Sequence, residues 1–163
     1  MFEFKNWEIR IAKSSDAEVA CKLFTSSVLN ICGPHYNHDR VILDYWNSNK
    51  TPKNVQSWIE NKDFYFLVAL NKGVIEGVAF INNQTGELYA VYLSPQAVGF
   101  GLGQKLLDLM LSHASVKKLD KVFLKSSLNA QSFYEKRGFR IIGQDLDVRP
   151  PEGIPHFKME IML

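Results

Sequence analysis

The feature that most constrains the fold is a glycine-rich loop between an apolar strand and an amphipathic helix. The strand is predicted over 87–93, the helix over 102–116, and the loop runs from Val98 to Gly103. Glycines at alternate positions let the backbone curl tightly and let a ligand approach it closely. The N–H groups of the first helical turn lack intrahelical partners and lie at the positive end of the helix dipole. The loop therefore predicts a diphosphate site made of backbone donors.

The glycine spacing separates this loop from two familiar nucleotide-binding patterns. It is neither the Gly-x-Gly-x-x-Gly of a dinucleotide fold nor the Gly-x-x-x-x-Gly-Lys of a P-loop. A turn that only lets strand and helix pack together stays open as an alternative.

A second pattern lies from Asn129 to Phe139. Asn129 is a suitable helix N-cap and Gly138 a suitable residue just after a helix, so this segment predicts a short helix. Tyr134 lies in its middle beside Phe133, and the plainest interpretation is that both rings belong to the core.

The remaining periodicities predict a mixed α/β domain. Gly33-Pro34 is expected to end the first helix, which begins after the caps at 14–16. The predicted strands are 7–11, 64–70, 74–82, 87–93, 121–126, 139–148 and 157–162, and the predicted helices are 17–32, 39–46, 52–60, 102–116 and 129–137. The order, a meander followed by strand-helix-strand crossovers, predicts a mixed sheet with helices on both faces, in a single domain over residues 1–163.

Composition excludes several classes of function. A formal net charge of +2 with scattered basic residues argues against nucleic acid. No apolar run approaches the ~20 residues of a membrane span, and the start lacks a signal-peptide pattern, so a cytoplasmic protein is expected. Cys21 and Cys32 are expected to be packing residues, and no cluster has the spacing of metal ligands.

The two motifs resemble those of the GCN5-related N-acetyltransferase (GNAT) family. Residues 98–103 resemble its motif A, Gln/Arg-x-x-Gly-x-Gly/Ala, although Val98 replaces the usual Gln or Arg. Residues 129–139 resemble its motif B, Asn-x-x-x-x-Tyr-Glu-Lys-x-Gly-Phe. The resemblance spans roughly residues 7–163 and implies a sheet splayed between strands 87–93 and 121–126. It also implies acetyl-CoA as cosubstrate, direct transfer to an amine of a small molecule or peptide, and a homodimer as one allowed assembly.

The resemblance also assigns roles to individual residues. It implies that Tyr134 protonates the leaving thiolate and that Asn129 binds the pantetheine arm. The expected cofactor-binding residues are Val91, Tyr92, Leu93, Val98, Gly99, Phe100, Gly101, Leu102, Gly103, Gln104 and Asn129. Backbone groups supply most of these contacts, so the change at Val98 preserves the mode of binding.

Two further functions need side chains. An alkylamine is mostly charged at neutral pH, so some group must accept its proton, and Glu87 matches the base position of the histone-acetylating branch of the family. A solvated carboxylate at the start of a strand is the alternative. His35, Tyr36 and His156, in segments that break the regular pattern, are candidates for contacts with the acceptor.

Two other functions stay open at this point. The chain could transfer a different acyl group or use a hydroxyl acceptor. It could instead be a non-catalytic sensor that binds acyl-CoA.

Overall fold

The protein is described by a computed structural model that covers residues 5–163. The first four residues, on which the signal-peptide interpretation partly rests, lie outside the described residues. The strands are β1 (Glu8–Ile11), β2 (Phe64–Asn71), β3 (Val74–Asn82), β4 (Leu88–Leu93), β5 (Lys121–Ser126), β6 (Arg140–Asp145) and β7 (His156–Met162). The helices are α1 (Ala17–Ser27), α2 (Arg40–Asn47), α3 (Pro52–Glu60), α4 (Leu102–Val116) and α5 (Gln131–Glu135).

The strands form two antiparallel sheets that meet at one point. Their orders are β1-β2-β3-β4 and β5-β7-β6. The junction is a parallel bridge between Glu87 and Phe123, where the Phe123 N–H donates to the Gly86 carbonyl at 3.1 Å. Gly86 has φ +79, and an added Cβ would collide with the Lys121 carbonyl oxygen, so glycine permits this close approach. Beyond the junction β4 and β5 separate, which confirms the predicted splay.

Helices cover both faces of the four-stranded sheet. Successive side chains of a strand point to opposite faces, so the buried residues of one strand divide between two helix layers. Helix α4 packs on the face that carries Ala79 and Ile81. Helices α1 and α3 pack on the other face, which carries Val78 and Phe80. An added Cβ on Gly77 of β3 would lie 2.8 Å from Leu102 of α4, so α4 is seated unusually close to the sheet. The start of α4 is therefore held firmly beside the end of β4.

The expected break at Gly33-Pro34 was wrong. After α1 the chain continues through a π-helical segment, Val28–Cys32, and a 3-10 segment, Gly33–Tyr36. Pro34 lies in the first turn of that last segment, where a backbone N–H has no intrahelical partner to lose. The helical path ends instead at Asn37 and His38, which have φ of 55 and 51.

Two other elements differ from the expectations by two residues or more at an end, α5 and β6. Helix α5 begins at Gln131 with Ala130 at its N-cap, so Asn129 does not cap it. Strand β6 ends at Asp145, because the segment after it turns away from the ladder with β7. The predicted bounds of α3, α4 and β5 are confirmed to the residue. That residues 1–163 form a single domain stays a prediction.

Candidate active site

The loop before α4 places its glycines in two different conformations. Gly99 and Gly101 have φ of 89 and 84, values that favour glycine, and Gly101 is the N-cap of α4. Gly103 lies inside the helix with ordinary φ, so only two of the three glycines are needed for the turn. An added Cβ on Gly99 or Gly101 would meet nothing within 4 Å, so these backbones face open space. The loop therefore presents bare peptide groups to a ligand.

The side chains around those glycines divide into an anchor and an exposed rim. Leu102 is completely buried and fixes the first turn of α4 in the core. Val98 and Phe100 are about half exposed, at 49% and 50%, and Gln104 is exposed. The predicted phosphate contacts would thus come from backbone N–H groups.

A pocket of about 330 Å³ extends from this loop along the opening between the two sheets. Helical residues from 27 to 35 form one wall, and the segment 127–133 forms another. Its lining includes Val98, Gly103, Val91, Tyr92, Leu93, Asn129, Phe133, Cys32 and His35. The structure therefore brings together residues of both sequence motifs and of β4 in one pocket.

The register of β4 determines which of its backbone groups face this pocket. The Ser94 N–H donates to the Glu76 carbonyl at 2.8 Å, and Tyr92 lies opposite Val78. Antiparallel pairing alternates along a strand, so the backbone groups of Tyr92 pair with β3. Those of Val91 and Leu93 point to the opening. Of the three predicted backbone contacts, Val91 and Leu93 are therefore free for a ligand and Tyr92 contributes its side chain.

Asn129 carries an unsatisfied acceptor in the pocket. Its Oδ1 atom is buried and has no hydrogen-bond partner among residues 5–163. An acceptor in this state is costly unless a ligand supplies a donor. The neighbouring Cys32 thiol is buried, and burial raises its pKa to about 11 despite the side chains of Asn129 and Ser127, which act in the opposite direction. Cys32 is thus a neutral pocket wall beside Asn129, and the free acceptor suits the amide N–H of a pantetheine arm.

Tyr134 lies in a small cavity that adjoins this pocket and shares Val91 and Tyr92 with it. The residue is only 8% exposed and lines this cavity, of about 60 Å³, with Val91, Lys125 and Ser127. Burial, and after it the nearby Cys32, raises the pKa of Tyr134 well above its usual value. The phenol therefore keeps its proton at neutral and mildly alkaline pH.

Glu87 and His156 line a third pocket, which adjoins the small cavity at Tyr134. This pocket, of about 360 Å³, is also lined by Lys125, Tyr89 and Ile154. His156 Nδ1 lies 2.8 Å from the Ile154 carbonyl oxygen, which it approaches as a donor. Its Nε2 atom is buried without a hydrogen-bond partner among the described residues, at 3.6 Å from Asp145 Oδ2. A carboxylate and an imidazole thus border the same opening.

The other two acceptor candidates occupy different positions. Tyr36 is 3% exposed, and its hydroxyl donates to the Pro155 carbonyl at 2.8 Å while accepting from the Leu128 N–H at 3.0 Å. Burial raises the pKa of this phenol to about 12. With both roles of its hydroxyl filled, Tyr36 ties two loops together. His35 is exposed and borders the cofactor-side pocket.

Sequence reasoning missed the aromatic residues that surround the opening on the side of α1 and α3. They line a pocket of about 280 Å³ that includes Lys50 and shares Trp46, Tyr89 and Tyr92 with the opening. These residues lie on separate elements, so no sequence spacing connects them. Only the dense aromatic content of residues 58–92 gave a signal, and a core explains it equally well.

Two classes of site have no support among residues 5–163. No helix in that range is both long and apolar enough to cross a bilayer. No three His, Cys, Asp or Glu side chains there are grouped as metal ligands would be.

Comparison with known families decides the class of this site. Residues 32–163, which include the loop, the opening and both motifs, match the acetyltransferase (GNAT) domain. The chain belongs to the GNAT family of acetyltransferases. It is therefore an enzyme of the N-acetyltransferase class, as the two motifs predicted.

A curated relative of the acetyltransferase is the 5-NmdU N-acetyltransferase of Pseudomonas phage PaMx11. The two are 30% identical over 95 residues, which is 56% of this chain and 66% of the phage protein. The match thus spans slightly less than two thirds of that relative.

Three solved structures share the fold of the acetyltransferase. A GCN5-related N-acetyltransferase of Rhodopseudomonas palustris, titled aminotransferase class II, has a TM-score of 0.86 at 20% identity and covers 100% of this chain and 99% of its own. The PaiA N-acetyltransferase of Thermoplasma acidophilum, in complex with coenzyme A, has a TM-score of 0.80 at 21% identity. The match covers 97% of this chain and 99% of the PaiA chain. YncA of Salmonella typhimurium, with its cofactor acetyl-CoA, has a TM-score of 0.74 at 24% identity. The match covers 97% of this chain and 94% of the YncA chain.

Proposed function

We propose that this acetyltransferase moves the acetyl group of acetyl-CoA directly to a primary amine held in the opening between β4 and β5. One observation carries the proposal. The loop before α4 and the free edge of β4 line one pocket, and that pocket shares Val91 and Tyr92 with the adjoining cavity lined by Tyr134. Coenzyme A in the PaiA structure and acetyl-CoA in the YncA structure support the same cosubstrate here.

Backbone groups would hold the cosubstrate. The N–H groups from 99 to 104, aligned with the dipole of α4, suit its diphosphate. The free peptide groups of Val91 and Leu93 suit the amides of an extended pantetheine arm, which would add to β4 as a further strand. Asn129 Oδ1 gains the donor that the protein does not provide. When bound, acetyl-CoA supplies an activated acyl carbon and a thiolate leaving group.

Tyr134 is the proposed general acid. Its hydroxyl is protonated because burial raises its pKa, which also makes it a weaker acid. The same burial disfavours a charged leaving thiolate, so the proton can pass to sulfur as the carbon–sulfur bond breaks. Glu87 is the proposed base, which takes a proton from the attacking amine directly or through water. The backbone N–H groups of β4 that face the opening are placed to stabilise negative charge on the acyl oxygen.

The acceptor would enter from the side of Glu87 and His156. The cosubstrate pocket and the pocket that contains these two residues each adjoin the small cavity at Tyr134 and have only Tyr92 and Ser127 in common. Both reactants can therefore be bound at once, which favours direct transfer over an acyl-enzyme. The unreactive state of the buried Cys32 thiol supports the same view.

The test is a steady-state assay of thiol release with acetyl-CoA and a panel of amines and alcohols. Initial rates should depend on both substrates in the intersecting pattern of a ternary complex, and mass spectrometry should find an acetylated amine. A parallel-line pattern with acetylated protein would contradict direct transfer. Release with alcohols alone would contradict the amine. Tight binding of acetyl-CoA without turnover on the panel would favour a sensor.

A further inference from the structure

The aromatic pocket, defined here by Trp46, Trp58, Phe64, Phe80, Tyr89 and Tyr92, is built for a planar guest. Trp58 stacks on Phe80 with 5.7 Å between centroids and 18° between planes, and Phe80 stacks on Tyr89 at 5.4 Å and 12°. Because these faces are already in contact with each other, a further aromatic group would meet the ring edges and the exposed part of Tyr89, which is 45% exposed. The cavity of about 280 Å³ accommodates a molecule of one or two rings.

The aromatic pocket adjoins the proposed reaction centre. Tyr92 belongs to its wall, to the wall of the small cavity at Tyr134 and to the walls of the two pockets that adjoin that cavity. The Trp46 indole N–H donates to the Tyr92 hydroxyl at 3.2 Å, which fixes the two rings against each other. Tyr89 reaches from the pocket toward Glu87, whose carboxylate contributes, after burial, to raising the pKa of the Tyr89 phenol. A ring in the pocket would therefore hold an attached amine near the proposed base.

Lys50 gives the pocket a cation without a protein counter-ion. Its Nζ donates to the Trp46 carbonyl at 2.6 Å and to Asn49 Oδ1 at 3.3 Å, which leaves one N–H free. No carboxylate lies among the residues that line the pocket, and Lys50 forms no ion pair among residues 5–163. Burial lowers the pKa of Lys50 to about 8, as expected of an ammonium that lacks a partner.

We propose that the aromatic pocket is the acceptor site and that the acceptor is an aromatic amine carrying an anionic group, a carboxylate or a phosphate, that pairs with Lys50. The ring packs against the edges of Trp58 and Phe80 and against Tyr89. The amine points through the opening toward Tyr134. This inference rests on the proposed acetyl transfer and narrows its substrate class.

Aliphatic polyamines are poor candidates for the same site. A polyamine is a chain of cations, and the cation of Lys50 repels it at short range. Its flexible chain would also lose conformational freedom on entering a pocket shaped for rings. The aromatic walls and the lone cation therefore both disfavour an aliphatic polyamine as the acceptor.

The test uses 4-(aminomethyl)benzoate and its neutral analogue benzylamine. Calorimetric titration into the full chain with coenzyme A bound should show the acid binding about tenfold to hundredfold more tightly. In Lys50→Met this difference should vanish, because the carboxylate of the acid loses its cationic partner. The affinity for benzylamine should stay unchanged. It should persist in Lys50→Arg and in Lys53→Met, a matched lysine exposed on α3. Equal affinities in the unaltered protein, or an undiminished difference in Lys50→Met, would overturn the anion pairing.

A second measurement separates this inference from the proposed function. Thiol release from acetyl-CoA should have a higher kcat/KM with 4-(aminomethyl)benzoate than with putrescine. A preference for putrescine would overturn the aromatic acceptor and leave acetyl transfer intact. Lys50-dependent binding without thiol release from either amine would support the ligand site and contradict the transfer. Parallel melting curves keep the variants comparable, and if Lys50→Met fails to fold, the neutral variant Lys50→Gln is titrated in its place with the same expected loss of the difference.

Discussion

The two ends of the opening between β4 and β5 are made from different parts of the polypeptide. At the cosubstrate end, the ligand-facing groups are largely backbone: the turn at Gly99 and Gly101, the first turn of α4 and the free edge of β4. At the proposed acceptor end they are side chains from elements far apart in the chain. The first end needs a conformation and tolerates changes of side chain, as at Val98. The second depends on the identity of each ring and charge.

This difference explains why one end is general and the other is specific. Backbone donors at a helix N-terminus suit any diphosphate, so one arrangement serves a whole family with a common cosubstrate. A pocket of aromatic rings with a single cation discriminates among acceptors by shape and charge. We therefore expect substitutions at the two ends to have separable effects on cosubstrate affinity and on acceptor choice.

The largest effect is expected at Tyr134, on the boundary between the two ends. Tyr134→Phe should lower kcat by about 100-fold, because the leaving thiolate loses its positioned acid. Affinity for acetyl-CoA should change little, because backbone groups provide it. Steady-state kinetics and calorimetry measure the two quantities. Tyr45→Phe, which removes a hydroxyl that binds the Pro151 carbonyl at the surface, is the control and should keep full turnover. Full turnover by Tyr134→Phe would remove the residue from the mechanism.

A smaller effect is expected at Glu87, on the acceptor side. Glu87→Gln should lower kcat/KM for the amine by about 30-fold near pH 7, because the amine loses its proton acceptor. The deficit should shrink toward about pH 9.5, where more of the amine is already neutral. Glu18→Gln, an exposed carboxylate on α1, serves as the control. A deficit that is constant with pH, or none, would contradict the base role.

Replacement of a glycine at positive φ tests the role of the backbone at the cosubstrate end. Gly101→Ala and Gly73→Ala both place a Cβ at positive φ, near +84 and +80, where nothing lies within 4 Å. Each should lose about 1 kcal/mol of unfolding free energy from that strain. Only Gly101→Ala should also weaken coenzyme A binding, by about tenfold, because the peptide groups that face the ligand must move. Urea unfolding and calorimetry separate the two effects. Equal affinity in both variants would contradict the loop as the phosphate site.

The smallest effect concerns the cation at the acceptor end. The pKa of Lys50 falls from 10.5 to about 8 on folding, so the native state binds fewer protons than the unfolded state between these values. This group alone therefore makes stability rise with pH in that window. The buried Cys32 thiol acts in the opposite direction, but Lys50→Met shares it.

Urea unfolding at about pH 7.5 and about pH 9.5 measures this effect. The unaltered protein should gain on the order of 1 kcal/mol relative to Lys50→Met between these pH values. Lys53→Met should behave like the unaltered protein. The same pH dependence of the unfolding free energy in Lys50→Met would show that folding does not lower the pKa of Lys50.

The same contrast accounts for what could be predicted from the sequence. Helix α4 and strand β5 follow from local periodicity, and the loop glycines carry their conformational signal with them. The aromatic pocket could not be predicted, because its residues meet only when α2, α3 and β2–β4 pack. Lys50 looks like any surface lysine until burial and the absence of a carboxylate are seen.

Local signals also failed where tertiary packing overrode them. Gly33-Pro34 is typical of a helix end, yet the chain continues in π and 3-10 turns. The packing of Val28 and Cys32 with Tyr36 holds that path together. Asn129 is typical of an N-cap, yet its amide lines the pocket and leaves the helix uncapped by a side chain.

The central claim is that the bare loop at the start of α4 docks the nucleotide-linked thioester. The most direct test is calorimetric titration of acetyl-CoA into the full chain, with Gly101→Ala titrated in parallel. We expect one saturable site per chain in the unaltered protein and a clearly weaker one in the variant. Absence of saturable heat in folded protein, or equal binding by both, would contradict the account.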